Sequence, residues 1–502
     1  MAILGSGSSA VGAALGIIKL IESKSLEEPL SVHVIDYGED ANSLKVLSGK
    51  GPKNPTHKSA GGSAVFAIPE LFSTESTLYG GFAGSASFGG LANAWGATVQ
   101  EYSEEYLKLF SSDGRSLREF FEYLETYVPV IWGSDHHIRG HRNLAKISTP
   151  SFGGVTNSHP EYSTEFKSSS LAIKNFSNDQ QLGCNQCGLC LRGCPGGNIW
   201  NPGMTWRTIF ERVEFTYNKG QFVERIIETS SCAIINLVDI HGVHSDESYD
   251  LVLVALGPLQ TSALMIRSGF AKNNCVTVRD SQMVVIPFFT KKLEKTGSRD
   301  LTRISLSDAF FMSEEVNNPL DKNFFAQVYG WSDDLGNSIE KAFPILRLTP
   351  KVLKRIFLER VGIAMCFLPM EQSGSIEVSL NDNYPGKVVF KAAPSPLSRA
   401  ELIRECRKHL KNLNFAFVTL FSKVFPVGLG YHFGSSFPTG SGDGSSLNSS
   451  DTEGRPNGAR RIHLVDSSSF PKISSRPITW TTMANACRIG FSSVSVFGGK
   501  SD

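Results

Sequence analysis

The sequence predicts an α/β chain: a Rossmann-like unit at its start and a further unit built on a β-sheet. Three observations carry this. "AILGSGSSAVGAALGIIKLIE" reads as a strand, a glycine turn and a helix, and "SVHVIDYG" (Ser31 to Gly38) reads as the next strand, so a βαβ unit opens the chain. Between Met283 and Pro394 the runs "MVVIPFFTKK", "FFAQVYGW", "GIAMCFLP", "SIEVSL" and "KVVFKAAP" alternate or are β-branched, which predicts a mixed or antiparallel sheet. At 502 residues the chain is too long for one ordinary core and divides into two or three units.

The intervening elements follow in order. From about Tyr102 to Val128 the pattern is helical and amphipathic, clearest in "SLREFFEYLETYV". "WRTIFERV" predicts a helix, and "QFVERIIETSSCAIINLVDIHGVHSDESYDLVLVALG" a meander of strands ending in the buried run "LVLVAL". "GPLQTSALMIRSG" predicts a helix closed by Gly269. "SRAELIRECRKHLKNLNFAFVTLF" is read as one helix, and "TTMANACRIGFSSV" as the last.

Composition narrows the function classes. With 41% hydrophobic and 19% charged residues the chain is of the ordinary globular type, and a net charge of +1 gives no basis for nucleic-acid binding. No stretch is long and apolar enough to predict a membrane segment. The first twenty residues are apolar but lack a basic leader region, and glycines interrupt them regularly. A cytoplasmic location is therefore expected, with export alongside a partner subunit left open. In a reducing compartment, clustered thiols point to metal or redox chemistry rather than disulfides.

Gly5-Ser-Gly7-Ser-Ser-Ala10 is a G-x-G-x-x-A turn. The first glycine makes the tight turn, the second lets backbone approach a pyrophosphate, and the small third residue lets helix and strand pack closely. The helix N-terminus offers free N–H groups to the phosphates. Asp36 ends the next apolar strand, about thirty residues on, where a carboxylate can accept hydrogen bonds from ribose hydroxyls. The alternative is a tight turn without a ligand. FAD and NAD share this fingerprint.

Four further segments resemble the glucose–methanol–choline oxidoreductases, a family of FAD enzymes. "SASFGGLANAWGA" is similar to the family's glycine-rich flavin loop, and "LVLVALGPLQTSALMIRSG" to a strand and helix of its dinucleotide domain. "YHFGSSFPTG" resembles the segment that carries the catalytic histidine. "DTEGRPNGARRIHLVDSSSFPKISSRPITWTTMANACRIG" resembles the C-terminal signature. The resemblance implies an FAD-binding domain from residues 1–100, 184–275 and 428–502, and a substrate or cap domain from 101–183 and 276–427. It implies oxidation of a CH–OH group, on a polyol or sugar-like alcohol, with hydride transfer to the flavin.

The resemblance also assigns residues. His432 stands where the family keeps its base, and a histidine suits that task because its ordinary pKa, about 6.5, lies near working pH. Where the family has His or Asn before a proline, this chain has Arg476-Pro477. A guanidinium cannot act as a base, but it can bind an anionic group or stabilise an alkoxide. Gly89, Gly90 and Asn93 fall in the presumed flavin loop beside Trp95, which is as readily core. Asp466 matches a position at the flavin, or caps a turn.

Four of the nine cysteines crowd into "CNQCGLCLRGCPGG": Cys184, Cys187, Cys190 and Cys194, then Pro195. This is the C-x2-C-x2-C-x3-C-P spacing of a bacterial ferredoxin run, though no second run completes it. Some members of the resembled family hold a three-iron cluster with C-x5-C-x3-C-P spacing, which Cys184, Cys190 and Cys194 match. Other members keep a related segment without a cluster. The loop is thus read as an Fe–S site (3Fe-4S or 4Fe-4S), with a cluster-free structural loop and a cramped zinc site as alternatives. An Fe–S centre beside a flavin gives a one-electron exit. It predicts a dehydrogenase that passes electrons to a partner protein or quinone. The rivals are an oxygen-using oxidase with a structural cysteine loop, and a non-catalytic electron-transfer flavoprotein.

Overall fold

The computed structural model describes residues 1–23, 30–38, 75–78, 84–110, 117–133, 162–174, 190–194, 196–290, 305–330, 360–381, 384–411, 413, 415–440 and 448–498. Five short strands form a parallel sheet in the order β20 (Ile462–Leu464), β9 (Val252–Val254), β1 (Ala2–Leu4), β2 (Val32–Ile35) and β5 (Phe215–Asn218). All residues of β1, β9 and β20 are buried, which is why these runs are apolar without alternation. The sheet therefore draws on three distant stretches of the chain.

Helix α1 (Ser8–Glu22) leaves the β1 turn and is buried along most of its length. It packs against α7 (Thr479–Gly498) at backbone distance. A Cβ at Gly12 would sit 2.4 Å from the Met483 carbonyl oxygen, and one at Gly16 2.0 Å from that of Cys487. Glycine inside a helix costs about 1 kcal/mol relative to alanine. Here it permits a contact that no side chain would allow. Around this pair lie α2 (Glu104–Leu107), α3 (Arg118–Glu125) and α4 (Pro202–Ile209), with Phe121 stacked on Trp480. α5 (Pro258–Arg267) follows β9 and packs on β6 (Gln221–Glu228), the first strand of a meander with β7 (Ala233–Asp239) and β8 (His244–Tyr249).

A second sheet runs β19 (Phe433–Gly434), β10 (Cys275–Asp280), β15 (Ser375–Asn381), β16 (Tyr384–Ala393) and β3 (Glu75–Ser76), antiparallel except for its last pair. A third, antiparallel throughout, runs β17 (Phe415–Phe417), β11 (Met283–Thr290), β14 (Val361–Phe367), β13 (Asn323–Tyr329), β12 (Ala309–Glu315) and β4 (Tyr162–Ser168), and β18 (Lys423–Val424) also pairs with β11. Alternation gives the third sheet two apolar faces. Val284, Ile286, Phe288 and Phe324 pack under α6 (Arg399–Leu410), while Met283, Phe310, Phe325 and Phe367 face the other way.

The long helix expected from Ser398 onward is shorter. α6 begins at a Ser398–Glu401 capping box and ends at Leu410, and the stretch Phe415–Phe417 pairs with β11. Phe415 stacks on Phe288 with ring centres 4.3 Å apart, so sheet packing outweighs the helical periodicity.

Candidate functional site

A cavity of about 820 Å³ lies between the parallel sheet and the third sheet, and the β1–α1 turn forms one end of it. Gly5 has φ +101°, and a Cβ there would lie 2.6 Å from the Ala255 carbonyl oxygen of the neighbouring strand. Only glycine suits both conditions. Gly7 is the N-cap of α1 with no side-chain cap, so the first N–H groups of the helix stand at the cavity. A Cβ on Gly7 or on Gly257 would meet nothing within 4 Å and would project into the open space.

Asp36 lines the cavity from the end of β2. Its carboxylate accepts from the Ser6 hydroxyl and from the Tyr217 hydroxyl (3.3 Å). Burial raises its pKa to about 6, with the Ser6 and Tyr217 hydroxyls opposing the rise. Ser6 Oγ also accepts from the Gly89 N–H (2.8 Å), which ties the turn to the glycine-rich loop. In that loop Gly90 lines the cavity, and a Cβ added to it would lie 3.4 Å from Gly7 Cα.

Ala10, Gly89 and Asn93 do not line the cavity. Ala10 is buried in α1. Asn93 turns into its own loop, where its amide donates to the Phe88 carbonyl (2.7 Å) and to Ser87 Oγ (3.1 Å). It braces the loop from behind. Trp95 does reach the cavity, with its indole N–H held by the Trp200 carbonyl (2.8 Å). Asp466 accepts from the Ser468 N–H (2.9 Å) as the cap of a short 3-10 turn, and it also lines the cavity. Burial raises its pKa.

His432 sits in the loop just before β19, and two hydrogen bonds hold that loop. The Ser281 N–H donates to the His432 carbonyl (2.9 Å), and the buried Asp280 accepts from the Gly428 N–H (2.8 Å). The residue before it, Tyr431, is held at φ +56°, a rare conformation for a non-glycine residue. The His432 ring stacks on Phe367 at 4.3 Å and borders the cavity. Its Nδ1 is buried without a partner among the described residues. Burial pulls its pKa down to about 4, so the imidazole is neutral across the physiological range.

Arg476 is the correction among the expected catalytic residues. The cavity wall includes Pro477, Ile478 and Thr479 but not Arg476. The guanidinium turns the other way and grips Glu314 (2.7 Å) and the Glu101 carbonyl (2.8 Å), nearly out of solvent. A rigid five-donor fork is well suited to a buried carboxylate and a carbonyl together. Arg476 thus ties α7's approach to β12 and the segment before α2.

Of the cysteine cluster, Cys184 and Cys187 lie outside the described residues. Cys190 Sγ accepts from the Ser305 N–H (3.4 Å), and Cys194 Sγ from the Asn198 N–H (3.5 Å). Between them Leu191 lines the cavity and stands beside Gly96 and Tyr329. Among the described residues no group of three or more His, Cys, Asp and Glu side chains could hold a metal ion.

Sequence reasoning missed most of the wall opposite the glycine turn. Gln327, Tyr329, Met365 and Phe367 come from β13 and β14, and Met283 opens β11. They read only as alternating strand residues, and the register alone reveals which face they share.

No family model matches the sequence, and no curated protein is similar to it in sequence. The fold is similar to the crystal structure of pyridoxine 4-oxidase from Mesorbium loti: the TM-score is 0.60 over 97% of this chain and 98% of that chain, at 13% identity. At such identity the likeness is one of fold. No described helix is long and apolar enough to cross a membrane.

Proposed function

We propose that the chain is an FAD-dependent oxidoreductase of the glucose–methanol–choline type that oxidises a CH–OH group, with His432 as its base. One observation carries the reading: a neutral, partly unpartnered histidine shares a single cavity with a glycine turn and helix N-terminus suited to a dinucleotide. The likeness in fold to pyridoxine 4-oxidase supports it.

The residues fit a flavin dinucleotide. Bare backbone at Gly7 and Gly257 leaves room that any Cβ would fill, and the first N–H groups of α1 suit a pyrophosphate. Asp36 is set to accept from ribose hydroxyls, and Asp466 and Gly90 border the same space. When bound, the flavin supplies the acceptor for the hydride that leaves the carbinol carbon. His432 takes the hydroxyl proton, so that the C–O bond becomes a carbonyl as the hydride departs. Phe367 holds the imidazole plane, and the Asp280–Gly428 and Ser281–His432 hydrogen bonds fix its loop. The test is flavin content and anaerobic bleaching by alcohols. Protein that binds no FAD, or FAD that no alcohol reduces, would overturn the reading.

The electron acceptor divides on the cysteine loop. The ferredoxin-like spacing favours an Fe–S relay to a protein or quinone. N–H groups aimed at the Cys190 and Cys194 sulfurs, in a loop that reaches the cavity through Leu191, support that assignment. The likeness in fold to pyridoxine 4-oxidase supports the oxidase alternative. Iron at about three to four per flavin, with a matching EPR signal, establishes the relay. Stoichiometric FAD without iron makes the loop structural and oxygen the acceptor.

A further inference from the structure

The wall facing His432 narrows the alcohol, given the alcohol-oxidising reading above on which this inference rests. Register sets Phe325 opposite Phe367 and Phe367 opposite Met283, with Gln327 opposite Met365 one step along. These side chains share one face of the sheet, and that face is apolar and aromatic. His432 stacks directly on it through Phe367.

Gln327 is the amide on this face. Its Oε1 accepts from the Tyr329 hydroxyl (2.7 Å), which leaves the NH2 as the group offered to the cavity, without a partner among the described residues. Two other polar groups on the wall are engaged. The Thr482 hydroxyl donates to the Ile478 carbonyl (2.9 Å), and the exposed Lys423 ammonium lies over the Phe425 ring (4.8 Å).

A sugar or polyol brings several hydroxyls into such a space, and each one left unpaired costs about 1–3 kcal/mol. A flat ring instead meets methionine sulfur and aromatic edges, which attract it beyond simple burial. We propose that the substrate is an aromatic carbinol with one hydrogen-bond acceptor on its ring. The ring lies against Phe367, Met283 and Met365, and the Gln327 amide donates to the acceptor. This replaces the polyol or sugar expected from the sequence. The products are the aromatic aldehyde and the two-electron-reduced flavin: the carbinol O–H proton goes to His432 and the C–H hydride to the flavin.

The experiment uses the holoenzyme under anaerobic conditions and follows flavin reduction by para-methoxybenzyl alcohol, benzyl alcohol, sorbitol and glucose. The expected kcat/KM for para-methoxybenzyl alcohol is about tenfold above that for benzyl alcohol, the worth of one hydrogen bond. Sorbitol and glucose give no reduction at the same concentration. In Gln327→Leu the ratio between the two aromatic alcohols falls toward unity. Faster reduction by sorbitol or glucose overturns the proposal, as does a ratio unchanged in Gln327→Leu. Calorimetric titration of the oxidised holoenzyme separates the two levels of inference. If para-methoxybenzyl alcohol binds saturably and sorbitol does not, yet no alcohol reduces the flavin, the substrate class stands and the oxidation reading falls. If para-methoxybenzyl alcohol does not bind, the substrate class falls.

Discussion

Along the parallel-sheet wall of the cavity, Gly5, Gly7, Gly90 and Gly257 bring backbone to the surface, whereas along the antiparallel wall Met283, Gln327, Met365 and Phe367 bring side chains. The first wall is built of what cannot be substituted without steric conflict or lost space. The second is built of groups that an alternating strand can exchange while its fold persists. In the proposed function, one wall would hold a ligand by geometry and the other would select it by chemistry.

The sharpest way to break this contrast is at the histidine between the walls. His432→Asn is expected to lower kcat/KM for the best alcohol about a hundred- to ten-thousand-fold while FAD content is retained. Stopped-flow flavin reduction checks it, and a smaller loss removes His432 from the base role.

Next come the buried charges. Arg476→Met leaves Glu314 without its partner and is expected to cost about 3–5 kcal/mol of stability, read by denaturant unfolding. If Arg476 instead served the substrate, the loss would appear in kcat/KM per folded flavin with stability little changed.

Within the backbone wall two glycines should behave differently. Gly5→Ala meets both a positive φ and the Ala255 carbonyl, so the apo-protein itself is destabilised, by about 2–3 kcal/mol. Gly7→Ala meets open space. Its apo stability should move by less than about 1 kcal/mol, the range of N-cap exchanges. Its FAD affinity should fall by more than that change accounts for. Equal behaviour of the two variants in apo-protein melts and FAD titrations would erase the distinction.

The contrast can also be sharpened by pH. The His432 pKa, about 4 in the fold, lies below its ordinary value of about 6.5, so the unfolded chain binds the extra proton between them. Stability from this group is present above pH 6.5 and is lost as pH falls towards 4. His463, also lowered by burial to about 4, acts with the same sign. Asp280, raised by burial to about 7, acts oppositely: its contribution declines as pH rises from about 4 to 7. The acid limb of kcat/KM should fall below pH 6. A limb at 6.5 or above would show that His432 is more open to solvent than its packing implies.

The same contrast explains how much was legible in sequence. The turn Gly5–Ala10, the strand-end Asp36 and the loop before β19 announce themselves because backbone constraints admit few residues at those places. Asn93 was recognised but misplaced: a motif gives proximity, and only the fold shows that its amide turns toward Phe88. Arg476 was misassigned for a related reason, since its partners Glu314 and Glu101 lie far away in sequence. The antiparallel wall was invisible, because strand pairing decides which alternate residues meet His432.

The contact of Gly12 and Gly16 with Met483 and Cys487 has a kinetic consequence. Helix α1 is made long before the partner that covers it: that surface waits for α7 to be synthesised, and β1 waits for β9 before it is flanked on both sides. Such remote pairings make folding slow, and they leave an apolar, glycine-notched helix exposed to other chains in the meantime. Expression yield should therefore depend on chaperone supply and growth temperature more than on the equilibrium stability of the finished protein.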